Sequence, residues 1–209
     1  AKAVRPAGRV TATDLAPGMV ERVRQSAEGP PWLEAEVGDA ERPPEGPFDV
    51  VQAGLVLFFL PSLDAALDRY RAALAPEGRL GFTWFGESDR KWEPVFRALL
   101  ADVPRNELPP EPPSSGPFAS VEAMHDHLTA SGWTDPSTET LVLQVGVRDT
   151  DHWFQWTWSQ GYRFALERLE AHGLLDAARE RVRAELDDMA VRDGGLSWRA
   201  EVRATLAFR

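Results

Sequence analysis

The run FDVVQAGLVLFFL, Phe48 to Leu60, leaves this chain the fewest choices. Its near-continuous apolar character belongs to a strand buried on both faces, which requires a packed layer on either side. The strand is expected to end near Gln52 to Gly54. Ser62 then caps a helix, LDAALDRYRAALA, whose Leu63, Leu67, Tyr70 and Leu74 keep helical spacing. PEGRLGFTWFGE supplies a turn and a second buried strand, Arg79 to Phe85. Strand, helix and strand in this order read as part of an open parallel sheet.

Upstream, Val10 to Thr13 is a short β-type run that places Asp14 at a strand's carboxyl end, and Pro17 opens a helix, MVERVRQSAE. WLEAEVGDAE, Trp32 to Glu41, reads as the next strand, ending at Gly38 and Asp39. Two acids at the ends of consecutive strands, separated by one helix, lie side by side along one edge of the sheet. Ligands of open α/β sheets bind outside the carboxyl ends of the strands, where an acid can accept hydrogen bonds from ribose hydroxyls. Taken alone, Asp14 is equally a turn residue, since Asp starts turns readily. A glycine-rich turn paired with such an acid is expected about 20 residues upstream. That position falls before residue 1, and AKAVRPAGRV reads as the tail of the helix that follows such a turn.

Beyond Glu87 the spacing predicts a helix from Trp92 to Val103 and a Pro-rich linker, Pro104 to Pro117, that serves as a connector or a lid. A helix capped by Ser120 and ended by Gly132, a strand TETLVLQVGV, two helices (DHWFQWTWSQGYRFALERLEAHG and LLDAARERVRAELDDMA) and a long alternating strand, LSWRAEVRATLAF, complete the chain. With 209 residues and 43% hydrophobic content, one compact domain is expected, its segments being a core over 1–85, lid or cap segments over 86–170, and a last helix and strand over 171–209. A formal charge of -10 disfavours nucleic acid as a partner. The absence of Cys removes disulfides, thiolate metal sites and Cys nucleophiles. No run is long enough to span a bilayer, so a cytoplasmic location without membrane contact is expected.

His125 and His127, two apart on one helix, point in nearly opposite directions, and no metal site is expected there. His172 beside Gly173 suits a helix C-terminus. His152, opening the Trp-rich helix, is the candidate proton acceptor. On that helix Trp153 and Trp156 share a face with Gln160, forming either a core stripe or a wall for a planar or cationic ligand.

The order of acid-tipped strand, helix, acid-tipped strand and buried strand resembles the class I S-adenosylmethionine-dependent methyltransferases. The matching segments are TDLAPGMVERVR, GDAE, FDVVQAGLVLFFLPSLDAALDRYRAALAPEGRLGFTWFGE and the final LSWRAEVRATLAFR. The resemblance implies an α/β fold: a Rossmann-like open sheet, mostly parallel with an antiparallel last strand, plus a helical cap. It implies that Asp14 takes the ribose hydroxyls, that Leu15 and Met19 line the adenosine side, and that Asp39 and the Ala40 amide meet the adenine. Gln52, Ala53, Gly54 and Leu55 would lie near the methionine part of the cofactor. Trp84, Trp153, Trp156 and Gln160 would belong to the acceptor pocket, although similar family members often carry His where Gln160 stands. The implied activity is direct in-line methyl transfer from S-adenosylmethionine, leaving S-adenosylhomocysteine, to a small aromatic or polyketide-like metabolite of bacterial secondary metabolism such as antibiotic biosynthesis. The protein is expected to act as a monomer or homodimer. A nicotinamide-dependent oxidoreductase shares the acid-tipped second strand, and a non-catalytic scaffold of the same fold is the third reading.

Overall fold

The computed structural model describes residues 8–26, 32–108 and 116–209. The expected helix tail over 1–7, the end of the first predicted helix at Ala27 and Glu28, and the central part of the Pro-rich linker lie outside the described residues. The chain divides into two compact units, one of Ala1–Trp84, Ser114–Glu139 and Arg203–Arg209, the other of Phe85–Pro113 and Thr140–Val202. Each has its own apolar cluster. The helix after Ser120 and the end of the last strand join the first unit.

In the first unit, β1 (Val10–Asp14) pairs in parallel with β2 (Leu33–Val37), in register from Val10↔Leu33 to Asp14↔Val37. The crossover is α1 (Pro17–Ser26), tied to β2 by the Arg24 guanidinium, which donates twice to the Ala35 carbonyl at 3.0 and 2.6 Å. The next parallel pair is β3 (Phe48–Gly54) with β4 (Leu74–Phe85), joined through α2 (Leu63–Ala73). Ser62 caps α2, its Oγ accepting from the Ala65 N–H at 3.3 Å. Strand β4 starts at Leu74 rather than Arg79, because Leu74 already pairs with Phe48 before the register shifts and pairing resumes at Val50↔Arg79. The APEG turn is therefore an irregularity inside the strand, where four residues stand opposite Asp49.

After α4 (Val121–Ala130), capped by Ser120, come β5 (Thr134–Val147) and, at the end of the chain, β6 (Leu196–Phe208). The four-stranded sheet has the order β3-β4-β6-β5. Contacts run from Gly78 with Arg209 to Trp84 with Thr205, and from Thr134 with Phe208 to Thr138 with Thr205. One number rises as the other falls, so β6 is antiparallel to both neighbours, as expected of the last strand of a mostly parallel α/β fold; β1 and β2 form a separate two-stranded sheet. Leu67, Leu80, Phe82, Met124 and Trp133 fill this unit's core around Trp84. The Trp84 indole N–H donates to Thr205 Oγ at 2.9 Å, and the Arg203 guanidinium lies 4.8 Å from the ring centre. Thr205 in turn meets the Thr138 hydroxyl at 2.8 Å, and Thr138 meets His125 Nε2 at 2.9 Å. His127 turns instead to Asp64, at 2.9 Å.

The second unit holds α3 (Glu93–Leu100), α5 (Thr150–Thr157), α6 (Arg163–Ala171) and α7 (Leu175–Asp193) around Trp92, Leu99, Trp153, Leu166, Val182 and Met189. The predicted single helix from Asp151 to Gly173 is broken into α5 and α6. At the break the Ser159 hydroxyl donates back to the Trp156 carbonyl at 2.7 Å, and short-range bonds around Gln160 and Gly161 replace the helical ladder. Ser and Gly weaken a helix interior in this way. Among the described residues no helix is long and apolar enough to cross a membrane.

Thr205→Val leaves the buried Trp84 N–H without its acceptor. Urea unfolding of this variant is expected to show a loss of about 1–3 kcal/mol.

Candidate functional site

Parallel pairing brings the carboxyl ends of β1 and β2 to one edge. The residues that follow them, together with β3 and the segment after it, line an open cavity of about 630 Å3. Asp14, Leu15, Asp39, Ala40, Gln52, Ala53 and Gly54 all face it. Asp14 uses Oδ1 to accept the Ala16 N–H at 2.8 Å, and Asp39 uses Oδ1 to accept the Glu41 N–H at 2.9 Å. These are Asx turns, so the turn reading and the ligand reading of Asp14 are compatible: one oxygen shapes the loop. Among the described residues no contact engages Oδ2 of either acid. Gly38 makes the close approach of the two strand ends possible, since a Cβ there would lie 3.1 Å from Thr13 Cβ, and its N–H donates to the Asp14 carbonyl at 3.1 Å.

The loop carrying Asp39 is held by α2. Tyr70, buried against the cavity, donates its hydroxyl to the Ala40 carbonyl at 2.7 Å; the Arg69 guanidinium donates to the Glu41 carbonyl at 2.8 Å, and the Glu41 carboxylate accepts the Ser62 N–H at 3.1 Å. Burial, and then the negative charges of Asp39 and Glu41, push the Tyr70 phenol from 10.0 up to about 12. Sequence reasoning placed Tyr70 only on the apolar face of a helix, and nothing local in the sequence marks its hydroxyl contact thirty residues away. Just past Gly54, Leu55 has a φ of 51°, a left-handed conformation unusual for a branched residue, held by its N–H donating to the Thr83 carbonyl and hydroxyl at 3.1 and 3.0 Å.

The other predicted site residues lie elsewhere. Met19 is exposed on α1, and neither it nor Leu55 lines the cavity. Trp84 is inside the first core. Trp153 is fully buried in the second unit, and Trp156 packs edge-on against Trp198 with ring centres 4.6 Å apart. Both therefore serve the core of that unit. Gln160 Nε2 is buried there without a hydrogen-bond partner among the described residues. His152 starts α5: its N–H donates to Asp149 Oδ1 at 2.7 Å, and its Nδ1 accepts the Arg148 N–H at 3.1 Å. The lone pair a general base would use is already engaged. Among the described residues no group of three His, Asp or Glu is placed to hold a metal.

The methyltransferase domain model matches residues 1–82, the segment that builds the cavity. A nocamycin O-methyltransferase from Saccharothrix syringae is 30% identical over 198 residues, covering 88% of this chain and 71% of the relative. The chain belongs to the class I S-adenosylmethionine-dependent methyltransferases. Two solved structures share the methyltransferase fold. The YcgJ protein from Bacillus subtilis superposes with a TM-score of 0.56 at 14% identity, covering 96% of this chain and 82% of its own. A Haemonchus contortus N-methyltransferase solved with S-adenosylhomocysteine gives 0.51 at 17% identity, covering 97% of this chain and 44% of its own. The acceptor groups of the cavity fit the hydroxyl and amino groups in the nucleoside part of S-adenosylmethionine. Its described lining carries the carboxylates of Asp14, Asp39 and Glu41 beside apolar Leu15, Val51 and Ala53, and no Lys or Arg. Such a lining receives hydroxyl and amino donors and tolerates a sulfonium charge.

Below pH 10 the Tyr70 phenol is protonated in both folded and unfolded chains. From there to about pH 12 the unfolded chain releases the proton while the folded chain keeps it, so stability falls as pH rises through this window. Denaturant melts between pH 9 and 12 are expected to show that fall in the wild type and a flatter profile in Tyr70→Phe.

Proposed function

We propose that the cavity at the ends of β1, β2 and β3 binds S-adenosylmethionine, and that the protein passes its methyl group directly to an oxygen of a small aromatic or polyketide-like metabolite. The observation that carries this reading is the pair of Asp side chains at adjacent strand tips, each with one oxygen spent on its own loop and the other uncommitted above an open cavity. In this reading Asp14 accepts from the ribose hydroxyls and Asp39 from the adenine amino group. Leu15, Val51 and Ala53 provide apolar contact, and the Gln52 to Gly54 segment lies toward the methionine part. Tyr70 acts as a positioning residue, fixing the Ala40 carbonyl and hence the loop that carries Asp39.

When bound, the cofactor supplies a methyl group already activated by its sulfonium. The task left to the chain is therefore to hold two molecules in reacting alignment, which by itself accounts for a large share of such a rate enhancement. Direct transfer from an activated methyl donor needs no nucleophilic side chain from the protein. An oxygen acceptor is favoured by the relative named as an O-methyltransferase. In this reading the acceptor reaches the cavity with its oxygen already ionised, as a phenol or an enolised β-dicarbonyl can.

Incubation with methyl-labelled S-adenosylmethionine and a panel of phenols and enolic β-dicarbonyls is expected to move label into an acceptor. Asp39→Asn keeps the loop-shaping oxygen but replaces an acceptor by a donor; it is expected to raise the cofactor KM roughly 10- to 100-fold with kcat little changed, since charge-assisted hydrogen bonds are worth about 1.5–3 kcal/mol. Failure to transfer label to any oxygen acceptor, with methylated nitrogen or carbon products instead, would contradict the acceptor assignment.

A further inference from the structure

Strand β5 is the outer strand of its sheet, with β6 on one side and no described strand on the other. Within the second unit, Thr140 to Gln144 is exposed throughout, and Leu141, Val142 and Leu143 keep 50%, 48% and 53% of their surface. Consecutive residues of a strand point to opposite faces, so both faces are apolar here, and the outer edge presents main-chain N–H and C=O groups. Exposed edges are normally blunted by Lys, Pro or inward charges. From Thr140 to Gly146 this edge carries no such residue, in a chain that is 27% charged.

The segment is also a palindrome in polarity: Thr140, Leu141, Val142, Leu143, Gln144. The geometry points to a second copy of this chain as the occupant, paired antiparallel through β5 about a two-fold axis at Val142. In that register Val142 meets its own copy, Leu141 meets Leu143 and Thr140 meets Gln144, so from Thr140 to Gln144 apolar faces apolar and polar faces polar. The first mismatch, Glu139 against Val145, falls outside this segment, whereas the other registers place mismatches within it or set Glu139 against one of its leucines. Moving the axis to Leu143 sets Val142 against Gln144; moving it to Leu141 sets Leu143 against Glu139. Half-residue shifts set Thr140 against Leu143 or Leu141 against Gln144. Cross-strand pairing thus selects one register and an isologous dimer. The two sheets would join edge to edge, and the main-chain groups of the outer edge would be satisfied.

Sedimentation velocity of the full chain over a wide concentration range tests this directly. The wild type is expected to show a concentration-dependent dimer. Val142→Lys sets two like charges on the axis and should weaken dimerisation at least about 100-fold. The double variant Leu141→Lys with Leu143→Glu places opposite charges across the interface and should still dimerise, which separates loss of pairing from loss of folding. The chain has no Cys, so single thiols report the register: on mild oxidation Val142→Cys should give a covalent dimer and Gln144→Cys should not. A wild type that stays monomeric at all concentrations, a Val142→Lys chain that dimerises as before, or cross-linking of Gln144→Cys but not Val142→Cys would overturn the assignment.

Discussion

Parallel pairing of β1 with β2 is the constraint on which the site depends. Two parallel strands end at the same edge, and the in-register match of Asp14 with Val37 puts the next turn, Gly38 and Asp39, beside Asp14. A slip by one residue would turn every side chain to the other face and separate the two acids. Gly38 allows the close approach and its N–H seals it. Strand β3, paired in parallel with β4, adds the apolar floor, and the unusual Leu55 backbone, held by Thr83, ends β3 sharply.

In the proposed reading each cavity Asp has two tasks, divided between its two oxygen atoms. Oδ1 closes a turn onto its own backbone, which fixes where the carboxylate sits before any ligand arrives. The Asp39 loop is fixed a second time through Tyr70 and Arg69 on α2 and through Glu41. Preorganisation of this kind lowers the ordering cost of binding, and more donor contacts then count toward affinity. The same crowding of carboxylates that suits hydroxyl and amino donors raises the Tyr70 phenol.

Local signals carried much of this architecture in the sequence. The apolar run from Phe48 announced a strand, Ser62 and Ser120 announced their helices, and the acids at 14 and 39 marked one edge. Burial of that strand on both faces did not follow, since only Ala53 of β3 is buried and Val50 stays exposed on the open cavity. What was not legible depends on contacts distant in sequence or on competition within a turn. The Trp84 side chain, taken for a pocket wall, belongs to a core contact with Thr205, 121 residues away. Trp153 shares its helical face with Trp156 as expected, but that face is spent on the second core. The break between α5 and α6 comes from Ser159 and Gly161 overriding a helical periodicity that continues on both sides. Two clusters of apolar residues, each large enough to organise its own helices, divide a chain expected to share one core.

The central claim is that the uncommitted oxygen of Asp14 holds a nucleoside cofactor. Calorimetric titration of S-adenosylhomocysteine into the wild type and Asp14→Asn tests it most directly, because the Asn variant keeps the acceptor for the Ala16 N–H and alters only the second oxygen. The account predicts one-to-one binding to the wild type that is lost or weakened at least about tenfold in the variant. Equal binding by both chains, or binding by neither, would contradict it.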